Sequence, residues 1–348
     1  MPNVLGICKT KAEKGGLELC ELEVAEPGPG EIKLKVGATG ICGTDLHIYH
    51  WVPWAARQIK VPQILGHEIS GRVEALGEGV TGIKRGDLVS LESHIFCGGC
   101  HQCLTGKAHL CAQLHYPGID RPGGLAEYVC VPARIAWVHH VPVSMQVAAM
   151  FEPFGIAVQA CLEGCGVSGQ DVLITGCGPI GLMAVAVARA LGAARVIATD
   201  RAAPRLRAAA EMGADRVINV GEEDPVAAVM DLTGRKGADV AMEYSGQEQA
   251  LSQALEALTR GGDLRLIGAP DNPVSLDLNR IILKGINVQG IHGRKIFHSW
   301  SHASRLVYSG KVDLRPLVSH VLPLRDGLRA FDLIERGEAV KVLIQPEG

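Results

Sequence analysis

Cys97-x2-Cys100-x2-Cys103-x7-Cys111 places four thiols close together in the chain. Four thiolates around one ion make a closed, tetrahedral site of structural type, and zinc suits that set. An iron–sulfur cluster is the competing occupant, but the run lacks the Cys-Pro ending of bacterial ferredoxins and differs from the plant spacing. The segment from Phe96 to Ala112 has little apolar content, so a bound ion rather than a core would give it order. A second group is Cys42-Gly-Thr44-Asp45-Leu-His47, followed by Gly66-His67-Glu68. It is not the H-E-x-x-H of zinc proteases, because Gly71 stands where the second histidine would be. Taken alone, Cys42 and His67 read as ordinary core residues rather than ligands.

A third group, Gly176-Cys-Gly178-Pro-Ile180-Gly181, has the G-x-G-x-x-G form and takes its weight from context. Asp171–Thr175 before it reads as a buried strand, and Ile180, Met183, Ala184, Val187 and Leu191 after it have helical spacing. Glycines there let the backbone approach a pyrophosphate, whose charge rests on the free N–H groups at the helix start. A further apolar strand ends at Asp200, where a carboxylate accepts hydrogen bonds from the adenosine ribose hydroxyls. The same carboxylate repels a 2′-phosphate, which favours NAD over NADP. Arg201 and Arg205 oppose that preference, although Arg205 could equally stack on adenine. A glycine-rich turn that merely packs a helix on a strand is the plainer alternative, and it leaves Asp200 unexplained.

The elements that must hold these groups fall into two textures. The first ~150 residues are short alternating strands broken by Gly and Pro, as at Glu31–Val36, Gly71–Leu76 and Glu127–Val131. From about Phe154, Ala-rich amphipathic stretches alternate with apolar runs at Val172–Thr175, Arg195–Thr199, Arg216–Val220, Val240–Glu243 and Leu264–Gly268. That alternation predicts a doubly wound parallel sheet, so the fold class is α/β with a separate, mostly-β domain. With 348 residues, two domains are expected. A 47% hydrophobic share excludes disorder as the main state. The net charge of −3, without blocks of like charge, excludes an electrostatic footprint for nucleic acid or acidic membranes. Arg189 and Arg195 interrupt the most apolar stretch, so no membrane span is expected, and the first residues carry no secretory pattern. An odd number of cysteines, eleven, dominated by a metal pattern points to the reducing cytoplasm.

In their order, Cys42-x-Thr44-Asp45-x-His47, Gly66-His67-Glu68-x2-Gly71, the four-cysteine lobe and Gly176–Gly181 resemble the zinc-containing medium-chain dehydrogenase/reductases over essentially the whole chain. Within that superfamily the chain is most similar to the branch that oxidises L-threonine at its 3-hydroxyl. Cys42–Tyr49, Arg121–Tyr128, Glu152-Pro-Phe-Gly155 and Gly290-Ile-His-Gly-Arg-Lys-Ile-Phe297 carry that likeness. The resemblance implies a GroES-like catalytic domain over 1–153 with a structural zinc lobe at 96–112. It further implies a Rossmann NAD-binding domain over 154–294 and a return to the catalytic domain over 295–348. It makes Cys42 and His67 ligands of a catalytic zinc, Glu68 a third ligand or close neighbour, and Glu152 a ligand or proton-handling carboxylate. Cys97, Cys100, Cys103 and Cys111 match the structural zinc, giving two zinc ions per chain. Thr44 and His47 match the family's proton relay. Cofactor contacts fall on Gly176, Gly178, Ile180, Gly181, Asp200, Arg205, Ile267, Gly268, Ala269, Ile291 and His292. Family members are commonly homotetramers.

The chemistry asked of such a site is large. Bound zinc lowers the pKa of water from ~16 toward ~7, and a comparable shift for an alcohol is worth roughly 12 kcal/mol. For a hydroxy amino acid the carboxylate needs a cation, and Arg294 is the candidate because its planar fork pairs bidentately; a cofactor or subunit contact explains it equally well. His94 is the other candidate for the substrate pocket. The chain departs from the branch pattern at His50, where asparagine is usual, at Val52-Pro53, where an acid is common, and at His292, where tyrosine is usual. A small-molecule substrate is therefore expected: L-threonine or a related β-hydroxy amino acid, with a polyol, vicinal diol or secondary alcohol as the alternative. A non-catalytic NAD-binding protein with only the thiolate-bound zinc is the reading from another class.

Overall fold

The computed structural model describes residues 3–23, 25–270 and 272–346. They form two compact units, Met1–Glu152 with Leu314–Gly348, and Pro153–Asp313. The first unit begins with β1 (Asn3–Lys9), β2 (Leu17–Glu23), β3 (Glu31–Gly40), β4 (Gln63–Ile64), β5 (Glu68–Leu76), β6 (Leu88–Leu91), β7 (Tyr128–Pro132) and β8 (Ala136–Val138). The second contains β9 (Asp171–Thr175), β10 (Arg195–Asp200), β11 (Arg216–Asn219), β12 (Ala238–Glu243), β13 (Leu258–Leu266) and β14 (Asn287–Gly290). β15 (Val318–Pro323) and β16 (Lys341–Gln345) then complete the first unit.

In the first unit β1 pairs with β2 and β4, and a larger sheet runs β15-β16-β3-β5-β6-β8, with β7 also on β3. Along β3 the residues Ile32, Leu34, Val36 and Ala38 are buried at every second position, the period of a strand with one face on a core. Ile32, Leu34 and Val36 share a core with Ile69, Val73, Val89 and Leu91 of the neighbouring strands. The antiparallel register sets Gly40 opposite Glu68, and on its other side β16 sets Leu343 opposite Gly40. Only the end of β3 thus separates β16 from the strand that begins at Glu68.

Burial also fixes where the first unit ends. Ser90 on β6 donates to the Ala148 carbonyl (2.6 Å), so its hydroxyl oxygen accepts from His139 Nε2 (2.6 Å). His139 stands edge-on to Phe151, with ring centroids 4.7 Å apart. Burial pushes its pKa down to about 4, so it is neutral in the fold at pH 7. The unfolded chain takes up that proton at the ordinary value, so the stability is fully present above pH ~6.5 and is lost as pH falls toward 4. The loss amounts to about 3 kcal/mol. Urea titrations at pH 7 and pH 4.5 should therefore show a steeper acid loss for the parent than for His139→Gln; equal slopes refute this assignment.

The second unit is one parallel sheet in the order β11-β10-β9-β12-β13-β14. This is the 3-2-1-4-5-6 arrangement of a dinucleotide-binding sheet. Its strands fall on the apolar runs read from sequence, and β9 feeds directly into the helix Pro179–Ala190. The expected domain limit at 294/295 is corrected. The helix His298–Tyr308 belongs to this unit, and the return begins at Leu314. The physical reason is a polar tie: Gln159 Oε1 accepts from Lys295 N (3.1 Å) and Ser299 Oγ, which fastens the segment to the helix Phe151–Leu162.

Candidate active site

Cys42 precedes the helix Gly43–His50 and has extended backbone geometry there. Asp45, fully buried in the first turn, accepts from Cys42 N (2.9 Å) and from Gly66 N (3.2 Å). One carboxylate therefore ties the start of this helix to the turn before His67. Gly66 has φ +90°, and a Cβ there would lie 2.9 Å from Leu125 N, so only glycine serves at that turn. The result is that the Cys42 thiol, the His67 imidazole and the Glu68 carboxylate lie within 4.8 Å of one another.

These three side chains fit a zinc ion by their chemistry: one thiolate, one imidazole and one carboxylate. His67 Nδ1 is buried with no partner among the described residues. Burial alone would lower the His67 pKa, but the Cys42 sulfur beside it, with Asp45 and Glu152, lifts it to about 10. The cluster thus draws positive charge to the place a cation would fill. Burial raises the Glu68 pKa while Lys341 opposes that rise. The ammonium of Lys341, itself buried on β16, pairs with Glu68 and donates to the Ile41 carbonyl (3.0 Å). Gly40 leaves the space through which that pair runs, since a Cβ there would lie 3.0 Å from Lys341 Cε.

Around this cluster the remaining expected residues of the first unit are held by specific bonds. Thr44 Oγ1 lies 3.9 Å from Cys42 Sγ. Thr44 and His47 are three residues apart on the same helix, hence neighbours on one face. Glu152, in the first turn of the helix Phe151–Leu162, accepts from Ser93 Oγ (2.6 Å). His94 Nδ1 donates to Glu92 (2.6 Å), and its ring stands edge-on to Tyr116 at 5.2 Å. Sequence reasoning missed Asp45, Glu92, Ser93 and Lys341 as positioning groups. Only Asp45 left a trace, as an acid three residues after the residue that precedes a helix. At the departure His50, Nε2 lies 3.3 Å from Glu335, while Pro53 opens the next short helix.

Separately in the same unit, the sulfurs of Cys97, Cys100, Cys103 and Cys111 also lie within 4.8 Å of one another. Cys97–Cys103, Cys100–Cys103 and Cys100–Cys111 are 4.0, 3.5 and 3.7 Å apart. A tetrahedron with metal–sulfur bonds of ~2.3 Å has an edge of ~3.8 Å, so the set fits one zinc. Backbone N–H groups of Cys103 and Ala112 pull the Cys100 thiol down to about 6, toward the thiolate a metal requires. Gly99 N and Cys100 N donate to Cys97 Sγ, and Gln113 N donates to Cys111 Sγ.

In the second unit the expected cofactor residues gather at the carboxyl ends of the parallel strands, the edge where such sheets bind ligands. Gly176 and Gly178 follow β9, Gly178 precedes the helix on which Ile180 and Gly181 sit, and Pro179 occupies its first position. Asp200 ends β10; it accepts from Cys177 N (2.8 Å), Arg201 N (2.7 Å) and Ala202 N (2.9 Å), with Arg205 3.9 Å away. It therefore orders the glycine loop as well as offering an acceptor. Ile267, Gly268 and Ala269 follow β13, and Ile291 and His292 follow β14. Arg294 is wholly buried, with its guanidinium 5.9 Å from the Trp300 ring centroid and its Cδ against Gly155.

Residues 28–143 match the alcohol dehydrogenase GroES-like domain, and residues 179–309 match the zinc-binding dehydrogenase domain. The chain is 45% identical over 332 residues to an L-threonine 3-dehydrogenase of Bacillus velezensis, covering 95% of this chain and 96% of that one. It is 45% identical over 342 residues to an L-threonine 3-dehydrogenase of Pyrococcus abyssi, with 98% of each covered. Among solved structures, 2R,3R-butanediol dehydrogenase from Bacillus subtilis superposes with a TM-score of 0.88 at 29% identity, covering 99% of this chain and 100% of that one.

Proposed function

The chain belongs to the zinc-binding dehydrogenase family, and on that premise we propose that it oxidises L-threonine with NAD to 2-amino-3-oxobutanoate. The carrying observation is the close set of Cys42, His67 and Glu68, a zinc ligand set in a chain 45% identical to threonine dehydrogenases. Cys42, His67 and Glu68 would hold one zinc, and Cys97, Cys100, Cys103 and Cys111 a second. When bound, zinc acidifies an oxygen that reaches it, and NAD accepts a hydride at C4 of its ring.

The chain's own residues then have definite tasks. Thr44 Oγ1 takes the proton of the substrate hydroxyl and passes it to His47, whose imidazole releases it to water. Glu152, fixed by Ser93, handles a proton close to the metal ligands. His94, fixed by Glu92, lines the substrate pocket. Gly176, Gly178 and Gly181 admit the pyrophosphate, and Asp200 receives the adenosine ribose. Arg294 pairs with the substrate carboxylate.

Among the described residues no helix is long and apolar enough to cross a membrane, and no cysteine is in a disulfide. Free thiols suit the cytoplasm. The helix Leu278–Lys284 leaves Leu278, Ile282 and Leu283 exposed, and Val288 is exposed on the edge strand β14. Such an apolar edge supports assembly with further copies, as a homotetramer.

The test is the initial rate of NADH appearance with L-threonine and with 2,3-butanediol, a diol of similar size without a carboxylate. L-Threonine should have the higher kcat/KM. Arg294→Ala should lower it about 100-fold for threonine while changing the diol rate little, as loss of a charge-assisted bidentate pair implies. Equal losses on both substrates refute carboxylate recognition by Arg294, and a faster diol rate in the parent refutes the substrate.

A further inference from the structure

Glu243 ends β12, is 2% exposed, and has no part in the steps above. A buried carboxylate persists only where donors replace water. Its Oε1 accepts from Ser245 N (2.6 Å), from Ser245 Oγ and from Thr175 Oγ1 (3.4 Å), and its Oε2 accepts from Gly246 N (3.0 Å). Its backbone carbonyl accepts from Ile267 N (2.9 Å) and Gly268 N (2.8 Å). One residue is therefore bonded to the ends of β9 and β13 and to the loop after its own strand.

Those loops are also packed without slack. Gly176 has φ +89°, and a Cβ on it would lie 2.9 Å from Ser245 N. A Cβ on Gly268 would lie 2.9 Å from Glu243 Oε2 and 2.7 Å from Tyr244 C. The first residue of the glycine fingerprint and the loop after β13 are thus both seated against the segment 244–246 that Glu243 holds. Every partner of the carboxylate is a donor, so a carboxamide, which must present an NH2 of its own, cannot replace it without facing donor to donor.

Strand order says which part of the cofactor this affects. A dinucleotide lies across the switch point between β9 and β12, with one mononucleotide on each half of the sheet. Asp200, at the end of β10, belongs to the adenosine half, and Glu243, at the end of β12, belongs to the other. We propose that Glu243 is a positioning residue for NAD: it holds the loop 244–246 against Gly176 and Gly268 and so shapes the nicotinamide half of the site. The proposal rests on the reading of this unit as an NAD site.

Equilibrium titrations of the zinc-loaded protein with NADH and with AMP separate the two ideas. If the parent binds neither, the cofactor reading itself fails. If it binds both, Glu243→Gln should raise the Kd for NADH at least tenfold and leave that for AMP within twofold. A change in the NADH Kd of less than twofold overturns the proposal. Equal weakening of NADH and AMP also overturns it, because a general defect of the sheet would spare neither half. Should Glu243→Gln fail to fold, Ser245→Ala removes only the hydroxyl bond to the carboxylate. A threefold loss confined to NADH is then expected, and unchanged NADH binding overturns the proposal.

Discussion

Cys42→Ala should lower kcat/KM for L-threonine by about 10⁴-fold or more, while NADH binds as before and one zinc per chain remains. The size follows from the chemistry removed. An acidified hydroxyl is worth roughly 12 kcal/mol relative to the free alcohol, and even a third of that exceeds any single hydrogen bond available near the cluster. The substitution leaves His67 and the Lys341-paired Glu68, too few ligands for a three-ligand catalytic site. It should not disturb the fold, because the Asp45 tie runs through the Cys42 backbone N–H and Gly66 N, both of which survive. Metal content by atomic emission, NADH titration and threonine kinetics on one preparation decide the matter. Activity within tenfold of the parent, in protein holding a single zinc, would remove the catalytic metal from this chain.

What could be read in advance was local. The four-cysteine lobe, the glycine fingerprint and Asp200 are short-range patterns, each with its own spacing, and the structure places all of them as those spacings require. Cys42 and His67 were legible only through resemblance, because what joins them is the Asp45 carboxylate, reaching Gly66 across a fold contact. Lys341 was illegible: it meets Glu68 because β16 pairs with the end of β3 and β3 pairs with β5, a register no window of sequence contains. The same holds for Glu243, which reads as the last residue of an apolar strand until the loops around it are seen. The misplaced domain limit has a similar origin. Periodicity does not assign the stretch from Trp300 onward, and the limit at 294/295 came from the resemblance alone, whereas Gln159 binds the helix His298–Tyr308 to the helix beside the nucleotide sheet.

Cys100→Ser should produce the complementary defect: loss of the other zinc, and unfolding of the lobe while the Cys42 cluster keeps its own. The lobe has no core to fall back on. Its regular structure is one helical turn at His101–Leu104 and a short 3-10 turn at Ala108–Leu110. Its leucines point outward, Leu104 being 74% and Leu110 42% exposed. Apolar burial therefore contributes little there, whereas a structural zinc contributes an apparent ~10–16 kcal/mol in small domains of this kind. Removing one thiolate forfeits much of that. The variant should lose about one zinc per chain, melt several degrees lower, and become open to protease cleavage between Cys97 and Cys111, where the zinc-loaded parent should stay uncut. Limited digestion followed by mass spectrometry locates the cut, and metal analysis counts the ions. A lobe that stays uncut with both zinc ions retained would show that three sulfurs suffice, or that the order of this segment comes from elsewhere. Set beside Cys42→Ala, the result tests whether the two metals are independent: one variant should lose turnover with the lobe intact, and the other should lose the lobe with the Cys42, His67 and Glu68 ligands still in place.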